Sequence, residues 1–450
     1  MRNKLTYVAF MALFGGYIAT FTSCVNGVDD EYLELQNTGE ENGSGDKQPE
    51  TEYPNLNGDY VNGGDNDLTM TYNGAPLSGR KVTVLTDEKD ETATLTLAGN
   101  EVDLSSAIGG LLDFKITPYS PIPGEKEVVL QDVKLYGNKN KYIFSGENVQ
   151  PTRTVIYKGS IEEGKVNIDL TCQLANTELQ GTWDLAPVIQ SGGGTTMAFS
   201  PLWSDWDSNV TMDLGHLSFL DLKKPFKDIW SIIAGPLSGT LLMKNIIGQS
   251  ISTEPLVANL LKSLTAHPSG SMGIMYSYSD DFANPQWSDN LPDNFFRYYY
   301  GETPGKLYVE VDPNAIANLL GGLLSTRSLT RSDPENAKRI GQELISMLTP
   351  VIEAGVPIEY TLDGNELTIN LDGVLVRDLI GKLLELANDE YVMDYIQQNI
   401  QALLGDFTPN ILSMLQTMPN AVKYHDGDSE STYTGECAYI KFGLKLVKAN

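Results

Sequence analysis

Three stretches of this chain repeat one arrangement of apolar residues at identical spacing. Leu95-Thr96-Leu97 is followed by Leu104, Ala107, Ile108, Leu111 and Leu112; Leu307-Tyr308-Val309 by Ile316, Leu319, Leu320, Leu323 and Leu324; Leu367-Thr368-Ile369 by Val376, Leu379, Ile380, Leu383 and Leu384. The first three residues of each copy alternate as a strand does. The five that follow fall at i, i+3, i+4, i+7 and i+8, which is one stripe of a helix. A glycine (Gly109, Gly321 or Gly381) interrupts each stripe. It costs about 1 kcal/mol of helix stability and permits close approach to a sheet. An exposed stripe of this kind needs cover, and the sheet to which its strand belongs is the nearest one. The expectation is a set of repeated strand–helix units. A degenerate fourth copy runs over residues 220–237.

The rest of the pattern divides the chain. Residues 55–187 are short alternating runs at 81–85, 92–97, 127–135, 142–145, 153–160 and 165–174, separated by turn signals such as Gly137-Asn138 and Glu163-Gly164. That spacing predicts an antiparallel β-meander. Gly192-Gly193-Gly194 marks a link. From 199 to 450 helical periodicity at 313–324, 336–353, 375–387 and 392–404 mixes with strand-like runs at 271–278, 306–311, 357–362, 367–371 and 438–446. The fold class read from the sequence is therefore α+β. A β-rich domain over 55–187 precedes an α+β domain of repeated strand–helix units over 199–450.

The N-terminus is an export signal. Arg2 and Lys4 precede an uncharged apolar stretch over residues 7–21. It is shorter than the roughly 20 apolar residues of a membrane span. Phe21-Thr22-Ser23-Cys24 resembles the bacterial lipobox, with Phe21 in place of the usual aliphatic residue. The resemblance implies cleavage of residues 1–23 and lipidation of Cys24, giving an anchor far more durable than a single acyl chain. Residues 24–54 then form a polar, acidic tether that buries too little apolar surface to fold alone. As a flexible coil it reaches roughly 30 Å. Asp29, Asp30 and Glu31 behind the cysteine are similar to the surface-export signal of Bacteroidota lipoproteins, which favours the outer face of the outer membrane over its periplasmic face.

Charge excludes whole classes of partner. Removal of the signal leaves 29 basic against 59 acidic residues, a formal charge of −30. Nucleic acid needs a cationic footprint, and anionic headgroups repel such a body. Beyond Cys24 only Cys172 and Cys437 remain. An exported compartment allows a disulfide between them, and two buried thiols are equally compatible with the spacing. The three histidines, His216, His267 and His425, form no ligand set with a cysteine or with one another. No P-loop, nucleophile elbow or H-E-x-x-H occurs, and no cofactor or metal is implied. The acidic clusters at 59–67 and 426–430 do not fit an EF-hand loop.

Residues 276–304 are the most distinctive segment. Trp287, Phe295, Tyr298, Tyr299 and Tyr300 stand among Asp and Asn there. Aromatic faces beside carboxylate and amide acceptors suit stacking on sugar rings. The same rings could instead anchor the segment to the body of the protein. Trp203 and Trp206, flanking Ser204-Asp205, offer the same pair of readings.

Together the lipobox with its acidic tail, the early β-meander, the aromatic run 295–300 and the late run PIEYTLDGNELTINLD resemble a Bacteroidota lipoprotein family of unknown function. The meander is similar to calycin-like β-domains. The Leu-rich repeats are similar in pattern to tubular lipid-binding proteins of the bactericidal permeability-increasing type. The resemblance implies a location and no catalytic residues. Three functions follow as expectations: a non-enzymatic binder of glycan or another extracellular ligand, a binder of an apolar small molecule in a groove lined by the Leu-rich helices, or a glycan-acting hydrolase.

Overall fold

The computed structural model describes residues 56–87, 91–105, 114–138, 141–186, 201–208, 211–217, 220–225, 261–312 and 339–354 with short gaps, 355–377 and 437–449. The signal peptide, Cys24 and the tether lie outside the described residues. So do most of the repeat stripes. The chain divides into two compact units, with the described part of one at 56–102 and 117–175 and of the other at 103–116 and 176–449.

The N-terminal part comprises β1 (Gly58–Val61), β2 (Asp67–Tyr72), β3 (Ala75–Pro76), β4 (Arg80–Asp87) and β5 (Thr92–Gly99). The short pair β6 (Val102–Asp103) and β7 (Lys115–Ile116) follows in the chain. Then come β8 (Glu127–Lys134), β9 (Tyr136–Asn138), β10 (Lys141–Gln150), β11 (Arg153–Glu162) and β12 (Lys165–Leu174). The sheet order is β8-β5-β4-β1-β2-β12-β11-β10-β9. Its two ends are one stretch of chain. β8 pairs with β5, and after Leu135 the same run pairs with β10 as β9. A β-bulge opposite Ala93–Leu95, with Asp132 at φ 54°, bends the strand as it changes partner. The sheet thus returns on itself as an eight-stranded barrel. It is not the simple meander expected, because β2 lies parallel to both β1 and β12.

The alternate residues of these strands fill the barrel. Tyr60, Val82, Leu97 and Val128 form one cross-strand row, and Leu68, Val166 and Ile161 another. All are buried. Gly159 and Gly146 make room for aromatic rings. A Cβ at Gly159 would fall 2.4 Å from Phe144 Cζ, and one at Gly146 would fall 2.4 Å from Tyr157 Oη. Buried arginines stand near opposite ends. Arg80 donates to the Ser78 and Gly79 carbonyls, and Arg153 to Asn148 and Glu125. Cys172 is a buried thiol and not half of a cystine.

The C-terminal unit contributes β13 (Gly181–Leu185), β14 (Leu202–Ser208), β15 (Thr211–Leu217), β16 (Leu220–Pro225), β17 (Leu261–Ala266) and β18 (Ser271–Ser277). It continues with β19 (Trp287–Ser288), β20 (Phe296–Tyr300), β21 (Lys306–Val311), β22 (Val356–Asp363), β23 (Glu366–Leu371) and β24 (Cys437–Lys448). The order β13-β17-β18-β20-β21-β22-β23-β24 closes through a second pairing of β13 with β24. Every pairing in this circuit is antiparallel. β14 adds to the outer half of β24, and β15 and β16 form a separate hairpin. β13 belongs to this circuit, so the division between units falls before Asn176 rather than near 187. The inward rows carry Trp183, Phe296, Tyr298, Leu307, Leu367, Leu444 and Leu446, all buried.

Among the described residues the fold is mostly β, with 62% strand and 7% helix in two short helices. This overturns the α+β reading and its repeated strand–helix units. The strand half of each repeat is real: Leu95–Leu97 lies in β5, Leu307–Val309 in β21 and Leu367–Ile369 in β23. The helical half is described only at 373–377 in the third copy. The expectation failed on one assumption, that a strand's apolar face needs a helix to cover it. A sheet closed on itself buries that face against its own far side.

Candidate functional site

Alternation along β21 to β24 sends one set of residues inward and the other outward. The register aligns the outward set into rows across the strands. Lys306 stands opposite Glu359, Glu359 opposite Asn370, Asn370 opposite Gly443, and Gly443 opposite Trp203 on β14. A neighbouring row runs Thr361, Thr368, Lys445. Apart from Gly443, the residues of these two rows, with Lys441, Tyr360 and the Pro304-Gly305 turn, line a shallow groove of about 440 Å³ on the outer face of the C-terminal barrel.

Glycine sets how closely two of these strands pack. A Cβ at Gly443 would lie 1.9 Å from the Ile369 carbonyl oxygen and 2.7 Å from Asn370 Cβ. Only glycine lets β24 run this close to β23.

The polar groups are fixed by one another. Lys441 Nζ lies 2.7 Å from Glu359 Oε2, and the Asn370 amide donates to the same oxygen at 3.1 Å. The hydrogen bond from Lys441 to Glu359 raises the lysine pKa above its ordinary value, against the opposing effect of burial. Lys441 also sits 5.1 Å from the Tyr439 ring centroid, and Tyr439 Oη donates to Asp205 at 3.1 Å. Lys306 pairs with Asp372 at 3.3 Å. Burial would raise the Asp372 pKa, but the amides of Leu375 and Val374 and the Lys306 ammonium together hold it below the usual carboxylate range. Asp372 thereby caps the helix at 373–377. Lys445 is exposed and makes no ion pair among the described residues.

Such a surface can hold a ligand by stacking and hydrogen bonding. It offers one indole, one phenol, one amide, two threonine hydroxyls, a carboxylate and three ammonium groups on paired strands. Strands hold side chains more firmly than loops do. Glu359 is the one carboxylate among the described residues that line the groove. Among the described residues no cluster of three His, Cys, Asp or Glu could hold a metal ion.

The aromatic segment is mostly structural. Phe295 and Tyr298 are buried, with the Tyr298 hydroxyl donating to the His267 carbonyl at 3.0 Å. Desolvation pushes the Tyr298 pKa well up. Tyr299 is half-buried, stacks on Tyr308 at 5.0 Å and donates to the Ala354 carbonyl at 2.7 Å. Tyr300 accepts the Leu179 amide hydrogen and meets Tyr298 edge to face. Trp287 is half-buried on β19. None of these five rings lines the groove.

Trp203 does line it, and the sequence pointed to that residue. The run PIEYTLDGNELTINLD supplies Glu359, Thr361, Thr368 and Asn370. Lys306, Lys441 and Lys445 were missed. Each occupies a polar position in an alternating run, and only strand register brings the three together.

No protein family, curated protein or solved structure matches this chain.

Proposed function

We propose that this chain is an outer-membrane lipoprotein, anchored through Cys24, whose C-terminal barrel binds an extracellular glycan without transforming it. The observation that carries the reading is the groove itself. An indole stands at one end of cross-strand rows that carry Asn370, Glu359, Thr368, Thr361 and three lysines. A sugar ring presents an apolar CH face to the indole and hydroxyls to the amide, carboxylate and threonines. The lipid anchor and tether would hold this surface outside the membrane, where such polymers are met. A glycan array probed with the soluble chain lacking residues 1–24 tests the reading. Binding to oligosaccharides that is lost in Trp203→Ala is the expected result. An array without hits, or hits untouched by Trp203→Ala, would refute it.

One observation favours a second reading, an apolar ligand within the C-terminal barrel. Val309, Ile358, Ile369 and Leu371 face inward and are only half-buried, whereas Leu95, Leu97, Val166 and Ile168 in the other barrel are buried. An eight-stranded barrel is just wide enough to be filled by side chains or to hold one small ligand. Native mass spectrometry of the purified protein separates these cases by the presence or absence of co-purified lipid.

A further inference from the structure

From the charge layout of the groove we infer that its glycan is an acidic one, with a carboxylate or sulfate seated at Lys445; this rests on the glycan reading above. The protein as a whole is strongly acidic, at −28 over the full chain. The groove's lining carries Lys306, Lys441 and Lys445 against Glu359, with Asp372, Asp205 and Glu178 held just behind it by Lys306, Tyr439 and Tyr360. Two of the three lysines are already neutralised. Lys441 is held by Glu359 at 2.7 Å and Lys306 by Asp372 at 3.3 Å. Those pairs fix the frame of the groove and leave little unbalanced charge there.

Lys445 differs. It is exposed and has no ion pair among the described residues. Its cross-strand neighbour is Thr368, and the neighbour beyond is Thr361. The row is therefore one cation followed by two hydroxyls, set beside the row that ends in Trp203. An oxyanion can take a charge-assisted hydrogen bond from the ammonium and further bonds from the hydroxyls. A neutral sugar would leave the ammonium without a partner. On a body this acidic, an anionic polymer is repelled everywhere except where local cations offset the field. Lys445, without an ion pair among the described residues, provides such a place, so charge acts here as a filter as well as a contact.

The test is a matched oligosaccharide panel read by calorimetry at low and physiological salt. It contains a galacturonate tetramer, the same tetramer fully methyl-esterified, a sulfated galactan tetramer, and acidic and neutral members of any backbone class that binds on the array. We expect acidic members to bind and their neutral counterparts to bind at least tenfold more weakly, the scale of one charge-assisted bond. Preference within the acidic set distinguishes carboxylate from sulfate. Lys445→Gln should remove the acidic preference, and Lys445→Arg should keep it. The position is exposed, so neither change threatens folding. Binding in the groove that is equal for charged and neutral partners, or an acidic preference that survives Lys445→Gln, overturns this inference and leaves the glycan reading standing. No binding by any member, or binding indifferent to Trp203→Ala, removes the glycan reading and this inference with it.

Discussion

Replacing Gly443 with alanine probes the packing on which the groove is built. The added Cβ would sit 1.9 Å from the Ile369 carbonyl oxygen, 2.8 Å from its carbon and 2.7 Å from Asn370 Cβ. Two of those atoms are backbone in a paired strand and cannot swing aside. Relief requires β23 and β24 to part where Ile369 faces Leu444 and Asn370 faces Gly443. Overpacking costs about 1–3 kcal/mol, and a backbone obstacle puts this change at or above the upper end, about 3 kcal/mol. With urea m-values of about 1–3 kcal/mol/M, the midpoint should fall by roughly 1–3 M. The assay is tryptophan fluorescence, because all five tryptophans of the chain lie in the sequence after Asn176. Gly273→Ala is the control in the same barrel. Its Cβ would have no neighbour closer than 3.6 Å. It should be neutral or stabilising by up to about 1 kcal/mol, since alanine restricts the unfolded chain. A Gly443→Ala midpoint within about 0.3 M of wild type, clear of measurement scatter, would refute the claim that the contact of β24 with β23 requires glycine.

Other consequences follow from the same structure. Arg297 and Glu310 face each other across β20 and β21 at 2.5 Å, both buried. Arg297→Met should destabilise the barrel by about 3–5 kcal/mol, while the double change with Glu310→Leu should recover most of the loss; a double variant no better than the single one would contradict this. Asp372 has a lowered folded pKa, so its contribution is complete above its unfolded value, near 4, and is lost as pH falls through the folded value. The unfolding midpoint of Asp372→Asn should therefore fall less steeply than wild type below about pH 4, and parallel curves would disprove the assignment. Cys24→Ala should move the protein from the membrane to the soluble fraction, and unchanged fractionation would refute anchoring at that residue.

The strands were legible in the sequence and the architecture was not. Alternation placed runs such as 306–311, 357–362 and 367–371 close to where β21, β22 and β23 stand. Alternation reports which face of a strand is apolar, but not whether a helix or the same sheet covers that face. The stripe after Leu367–Ile369 read as a helix covering its own strand, whereas Leu367 is buried inside a closed barrel. The aromatic run at 295–300 stood out for its composition, yet alternation divides it. Phe296 and Tyr298 enter the core, while Tyr299 packs on Tyr308 on the other face. Trp203 was visible as a candidate because tryptophan is rare here. Glu359, Asn370 and Lys445 were ordinary polar residues until register aligned them, and register between strands as distant in the chain as β14 and β24 is not written in any local pattern.

The most direct test of the central claim is the affinity of an array-selected oligosaccharide for three proteins: wild type, Trp203→Ala and Trp287→Ala. If the groove on the outer face of the C-terminal barrel is the binding site, Trp203→Ala loses most of the affinity, by tenfold or more on the scale of a well-placed aromatic contact, and Trp287→Ala binds as wild type. Full affinity in Trp203→Ala, with loss in Trp287→Ala, would move the site to the aromatic segment and contradict the account.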